Sequence, residues 1–124
     1  MTELSSPAEL AERYMTVWNE PDPRVRRSAV AQIWGAEARC CTPGGDYVGI
    51  EAIEGRVAAA YDKWVAQEGF VFRPRGGADE HHGGMRVRWD MVPSAGGEPV
   101  SSGVQFLLLD GDGRVRYDYQ FMDS

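Results

Sequence analysis

The spacing of apolar positions changes near residue 70. Before it, apolar residues recur three and four apart, as on amphipathic helices; after it, they alternate with polar ones, as on strands with two different faces. The first helical stripe is Leu10, Tyr14, Val17 and Trp18, with Ala11 and Met15 beside it. It follows Ser6-Pro7-Ala8-Glu9, which predicts a helix start with Ser6 as cap, Pro7 in the first position and Glu9 reaching back. Asn19-Glu20-Pro21 ends that helix. A second opens with Asp22 as cap and Pro23 in the first position, and is expected to run to Trp34. Its inward stripe reads Val25, Ala29, Ile33 and Trp34, leaving Arg24, Arg26 and Arg27 in water. Residues 37–42 predict a short strand stopped by Pro43-Gly44-Gly45-Asp46, and residues 47–48 a brief extended piece. A third helix over 51–67 carries Ile53, Val57, Ala60, Tyr61 and Trp64 on one face, with Gly69 as its terminator.

The alternating half predicts strands over 70–75, 85–92, 100–109 and 114–122, with turn-rich segments between them. Two helices, a strand, a helix and a meander make an α+β domain: a curved antiparallel sheet with three helices on its concave face, around a pocket. The last hairpin is the most informative part. On its first arm Ser101, Gly103, Gln105 and Leu107 share one face, and Val104, Phe106 and Leu108 the other. On its second arm Arg116, Asp118, Gln120 and Met122 oppose Val115, Tyr117, Tyr119 and Phe121. Asp-Gly-Asp-Gly supplies the tight turn between them. The face with Gln105 and Asp118 is mixed, whereas the other is apolar.

Composition narrows the function classes. A chain of 124 residues is expected to form a single domain over 1–124. A net charge of −6 argues against nucleic acid or an anionic membrane as the main partner. No apolar run approaches a membrane span, and MTELSSPAEL has neither the basic nor the apolar part of a signal peptide, so the chain reads as cytoplasmic. Cys40 and Cys41 are adjacent, point to opposite faces of a strand and read as buried free thiols. Asp79-Glu80-His81-His82 has the residue types of a metal site, but neighbours on a strand diverge and no other histidine exists in the chain. It reads as a solvated hairpin, and no metal or cofactor is expected.

Several segments, taken in order, carry a family resemblance. They are Trp18-Asn19, Trp34-Gly35-Ala36-Glu37-Ala38-Arg39, Thr42-Pro43, Gly49 with Glu51-Ala52-Ile53, Arg86-Val87-Arg88-Trp89-Asp90, Asp112-Gly113-Arg114-Val115 and Phe121-Met122-Asp123. In order and spacing the chain resembles the nuclear transport factor 2-like superfamily over residues 8–123, and within it the SnoaL-like group that includes polyketide cyclases. The resemblance implies a cone-shaped fold, a pocket between sheet and helices, and a homodimer. It does not imply one reaction, because this fold hosts many. In the ketosteroid-isomerase-like members a first-helix tyrosine and a strand aspartic acid donate to a developing enolate, and an aspartate before a proline moves the proton. Tyr14 matches the first position; Gln105 stands at the second and Thr42, before Pro43, at the third. A threonine hydroxyl is no general base near neutral pH, so that mechanism does not transfer intact.

What remains is a candidate set of Tyr14 and Gln105 as donors to an oxyanion and Asp118 as acid/base. Burial among Trp18, Trp34, Trp89 and Met122 would raise the pKa of Asp118. Two other readings of Asp118 stay open: an ion pair with Arg86 or Arg116, and a solvent-facing position. Trp18, Trp34, Thr42, Val87, Trp89, Leu107, Gln120 and Met122 are the expected ligand contacts. The function expected is cofactor-free acid/base chemistry of isomerase or cyclase type on a small apolar, carbonyl-bearing molecule. The alternative is a non-catalytic ligand-binding or assembly protein that lacks the usual pocket carboxylates. Val104, Phe106, Leu108, Tyr117 and Tyr119 form an apolar outer surface suited to a homodimer, with Arg86, Arg88 and Asp90 at its rim.

Overall fold

The computed structural model describes residues 6–123. Helix α1 (Pro7–Trp18) begins with the capping box the sequence predicts: the Glu9 N–H donates to Ser6 Oγ at 3.2 Å, and the Ser6 N–H donates to Glu9 Oε1 at 3.3 Å. Its stripe of Leu10, Ala11, Tyr14, Met15, Val17 and Trp18 is buried. Asn19 closes the helix and ties it to strand β3 (Phe70–Pro74). Its amide accepts from the Phe72 N–H at 2.8 Å and donates to the Phe72 carbonyl at 2.7 Å, as a strand partner would.

Helix α2 (Pro23–Ile33) is rotated from its expected face. It buries Arg26, Val30 and Ile33, while Val25 is 49% exposed. Arg26 turns inward because its guanidinium reaches the Glu20 carbonyl at 2.7 Å and lies over the Tyr61 ring, so its aliphatic stem packs as an apolar group. Trp34 has extended backbone angles (φ −98°, ψ 144°), so the helix stops one residue early and Trp34 opens strand β1 (Trp34–Thr42). Strand β2 (Gly45–Val48) folds back on β1, and helix α3 (Ile50–Ala60) runs on into a π-helical segment, Tyr61–Gln67. Gly69, at φ +77°, makes the left-handed exit the sequence anticipates.

Strands β4 (Asp79–His81), β5 (Gly84–Pro93), β6 (Ser101–Leu109) and β7 (Val115–Met122) complete one sheet of order β2-β1-β7-β6-β5-β3, with β4 also paired to β5. The fold is α+β, three helices against a curved, open sheet. The sheet is mixed rather than wholly antiparallel. Reversals between β3, β5, β6 and β7 fix the direction of the last strand, which then lies parallel to β1. A bulge also changes the expected faces of β7. Leu108 pairs with Tyr117 and Leu109 with Val115, so Arg116 has no partner residue, and Val115 is buried while Tyr117 is not. Cys40 is buried and Cys41 only partly so. Asp79 pairs with Arg86 at 2.7 Å on an exposed hairpin. Among the described residues no helix is long and apolar enough to cross a membrane.

Candidate active site

Register brings the site together. Leu107 faces Asp118 and Gln105 faces Gln120 across β6 and β7, so Gln105 and Asp118 are diagonal neighbours on the inner face of the sheet. Tyr14 arrives from α1 and donates its hydroxyl proton to Asp118 Oδ2 at 2.6 Å. Gln105 Nε2 donates to Asp118 Oδ1 at 2.6 Å and to the Tyr14 hydroxyl oxygen at 2.9 Å. Trp34 Nε1 donates to Asp118 Oδ2 at 3.3 Å. The orientation of the Gln105 amide is set by Trp89, whose Nε1 donates to Gln105 Oε1 at 3.0 Å. Trp89 in turn lies over Gly103, its register partner, where an added Cβ would come within 2.5 Å of the indole ring. Asp118 therefore pairs with neither Arg86 nor Arg116. It is a carboxylate without a counter-cation, held by neutral donors.

Burial sets its electrostatics. Asp118 is 0% exposed, and removal from water raises its pKa from 3.8 to about 6. Hydrogen bonds from Tyr14, Gln105, Trp34 and the Cys40 thiol pull the other way without cancelling that effect. The Tyr14 phenol is pushed well above its ordinary value, first by its own burial and then by the charge of Asp118. Burial likewise raises the Cys40 thiol, so it stays protonated beside the carboxylate. At neutral pH the group that holds charge in this network is Asp118.

A cavity of about 640 Å³ lies between α1, the α3–π-helical row and the inner face of the sheet. Of the expected residues, Tyr14, Trp18, Trp89, Gln105, Gln120 and Met122 line it. Asp118 does not; it sits one layer behind Tyr14 and Gln105. Trp34 lies behind that layer too, bonded to Asp118, while Val87 and Leu107 are core residues. Thr42 ends β1 opposite Gly45, off the cavity. Sequence reasoning missed Arg56, Trp64, Glu68, Phe70, Phe72 and Met91 as ligand contacts, all cavity-lining. A signal existed: Arg56, Ala60, Trp64 and Glu68 stand four residues apart, continuing one helical row.

This arrangement has a definite chemical capacity. A phenol has one donor and two acceptor positions. The Tyr14 proton is committed to Asp118 and one acceptor position to Gln105, which leaves one acceptor position on the oxygen. Both amide hydrogens of Gln105 are used inside the network, so it holds Tyr14 and Asp118 in place and has no donor left for a ligand. A proton reaching Tyr14 has a route onward to Asp118, whose raised pKa suits it to receive and release that proton near neutrality.

The same architecture recurs among solved structures. A proposed isomerase of the SnoaL-like family from Agrobacterium tumefaciens superposes with a TM-score of 0.84 at 29% identity, covering 93% of this chain and 95% of that one. The chain shares the fold of this SnoaL-like protein. A nuclear transport factor 2-like protein of unknown function from Exiguobacterium superposes at 0.70 with 18% identity, over 93% and 98% of the two chains. A proposed polyketide cyclase from Sinorhizobium meliloti superposes at 0.68 with 18% identity, over 90% and 93%. At 18% identity the last two speak for the fold alone and not for a reaction. No protein-family profile and no curated protein matches the chain.

Proposed function

We propose that the protein is a cofactor-free enzyme of isomerase or cyclase type acting on a small, largely apolar carbonyl compound. One observation carries the reading: the cavity-lining Tyr14 donates across 2.6 Å to a wholly buried, uncompensated carboxylate. In the step this supports, a proton leaves the carbon next to the substrate carbonyl for the Tyr14 oxygen, and the C–H electron pair moves into the enolate. The original Tyr14 proton passes to Asp118 Oδ2, so the phenol is unchanged and Asp118 is neutral. Return of a proton to a different carbon completes an isomerisation; attack of the enolate carbon on a second carbonyl completes a cyclisation. Aromatic walls from Trp18, Trp64, Phe70, Phe72 and Trp89 suit a flat ligand.

The competing reading is a binding module without chemistry, and the internal saturation of Gln105 favours it. The two separate in deuterium oxide. Incubation with a panel of cyclic saturated and unsaturated ketones, followed by proton NMR, is expected to show enzyme-dependent loss of the signal next to the carbonyl, abolished in Tyr14→Phe. Binding of these ketones with no enzyme-dependent exchange would leave the binding module. The same reading includes a homodimer through the outer face of the sheet, where Phe106, Tyr119 and Phe121 are 42%, 39% and 56% exposed.

A further inference from the structure

Arg56 stands apart from the network above. It lines the cavity from α3 and is the one basic residue among the described residues that do so. Its guanidinium lies between two aromatic rings, 6.0 Å from the Trp18 centroid and 5.8 Å from that of Tyr47. It makes no ion pair or hydrogen bond with any described residue, and its Nε is buried without an acceptor. The neighbouring Trp18 Nε1 is a second buried donor without an acceptor, and Trp18 also lines the cavity. Arg26 and Arg75 also bury an Nε without an acceptor, but Arg26 reaches the Glu20 carbonyl at 2.7 Å and Arg75 meets Asp90 and Asp123, whereas Arg56 has neither kind of partner. The acidic residue lining the cavity, Glu68, is exposed and lies three four-residue steps further along the same row, beyond pairing distance.

A half-buried cation against apolar walls, with one donor buried and unmet and no carboxylate beside it, is costly unless something supplies the missing charge. We infer that the ligand of this cavity carries an anionic oxygen group, a carboxylate in the simplest case, held by Arg56 beside Trp18. This rests on the small-molecule reading above and narrows it from an apolar carbonyl compound to a flat keto acid or its equivalent. A guanidinium matches a carboxylate with two parallel N–H donors, which fixes orientation as well as position. Trp18 sets the scale. Its ring is 6.0 Å from the Tyr14 ring and 6.0 Å from the Arg56 guanidinium carbon, so the two ends are close enough for one small ligand to reach both.

Calorimetric titration with 2-naphthoate and with 2-naphthamide, equal in shape and different in charge, tests this at neutral pH. The wild type is expected to bind the carboxylate at least tenfold more tightly, and Arg56→Gln to bring the two within about twofold. Arg56→Lys keeps the charge without the fork and should retain part of the preference, which guards against a fold defect in the glutamine variant. Equal binding of both probes by the wild type, or an undiminished preference in a folded Arg56→Gln, would overturn the anion anchor and leave the small-molecule reading standing. Binding of neither probe at millimolar concentration would overturn both.

Discussion

Tyr14 donates to Asp118 across 2.6 Å, and of the two only Tyr14 lines the cavity. A carboxylate with no exposed surface does not meet a ligand, so a proton that reaches it crosses the phenol oxygen. Tyr14→Phe and Asp118→Asn should therefore each lower the rate in the exchange assay by about 10²-fold or more, and the double variant should be little worse than either. Because the acceptor is ionised Asp118, the wild-type rate should rise with pH through about 6 and level off above it. Additive losses, or a rate flat from pH 5 to 8, would separate the two residues.

Stability should carry the same signature. The folded-state pKa of Asp118 is raised from 3.8 to about 6, so the native state binds this proton more tightly than the unfolded chain. The resulting stabilisation is fully present below 3.8 and is lost as pH rises through about 6. Urea unfolding of wild type and Asp118→Asn between pH 7 and pH 4 should show the wild type gaining about 2 kcal/mol relative to the variant as pH falls. A constant gap would mean that Asp118 titrates normally.

Helix α1 was legible because each local signal agreed: the capping box, the proline at the first position and an unbroken apolar stripe. The Gln105–Asp118 pairing was legible from alternation on the hairpin arms, which the bulge at Arg116 leaves intact beyond Tyr117. The same bulge hid the inward turn of Val115, since an unpaired residue reverses parity without a sequence mark. Arg26 was misread because composition assigns an arginine to water, whereas the Glu20 carbonyl and the Tyr61 ring supply partners that only the tertiary fold brings near. Depth was the other gap. Alternation tells which face Asp118 is on, but not that Tyr14 and Gln105 stand between it and the cavity.

Gly103 supports the site from beneath. A Cβ there would meet Trp89 Cζ2 at 2.5 Å and the Phe121 carbonyl oxygen at 2.9 Å, and the latter, as backbone, has little room to yield. Gly103→Ala should cost about 1–3 kcal/mol in denaturant unfolding and, by moving Trp89 off Gln105, also lower the exchange rate. Unchanged stability would mean that the sheet yields there freely.

On the outer face Phe106 pairs with Tyr119, and their exposed rings lie between Arg86 on β5 and Cys41 on β1. If this face joins two copies, sedimentation should give a dimer at micromolar concentration for the wild type and a folded monomer for Phe106→Glu. A wild-type monomer would contradict the interface.

The central claim is that a buried carboxylate near pKa 6 is coupled to the cavity through Tyr14, and a site-resolved titration reads it directly. Carbon-13 NMR of the Asp118 side chain should show a midpoint near 6 in the wild type. In Tyr14→Phe the midpoint should be higher, because that substitution removes a hydrogen bond that favours the ionised form. A wild-type midpoint near 3.8, or one unmoved by the loss of the Tyr14 hydroxyl, would contradict the account.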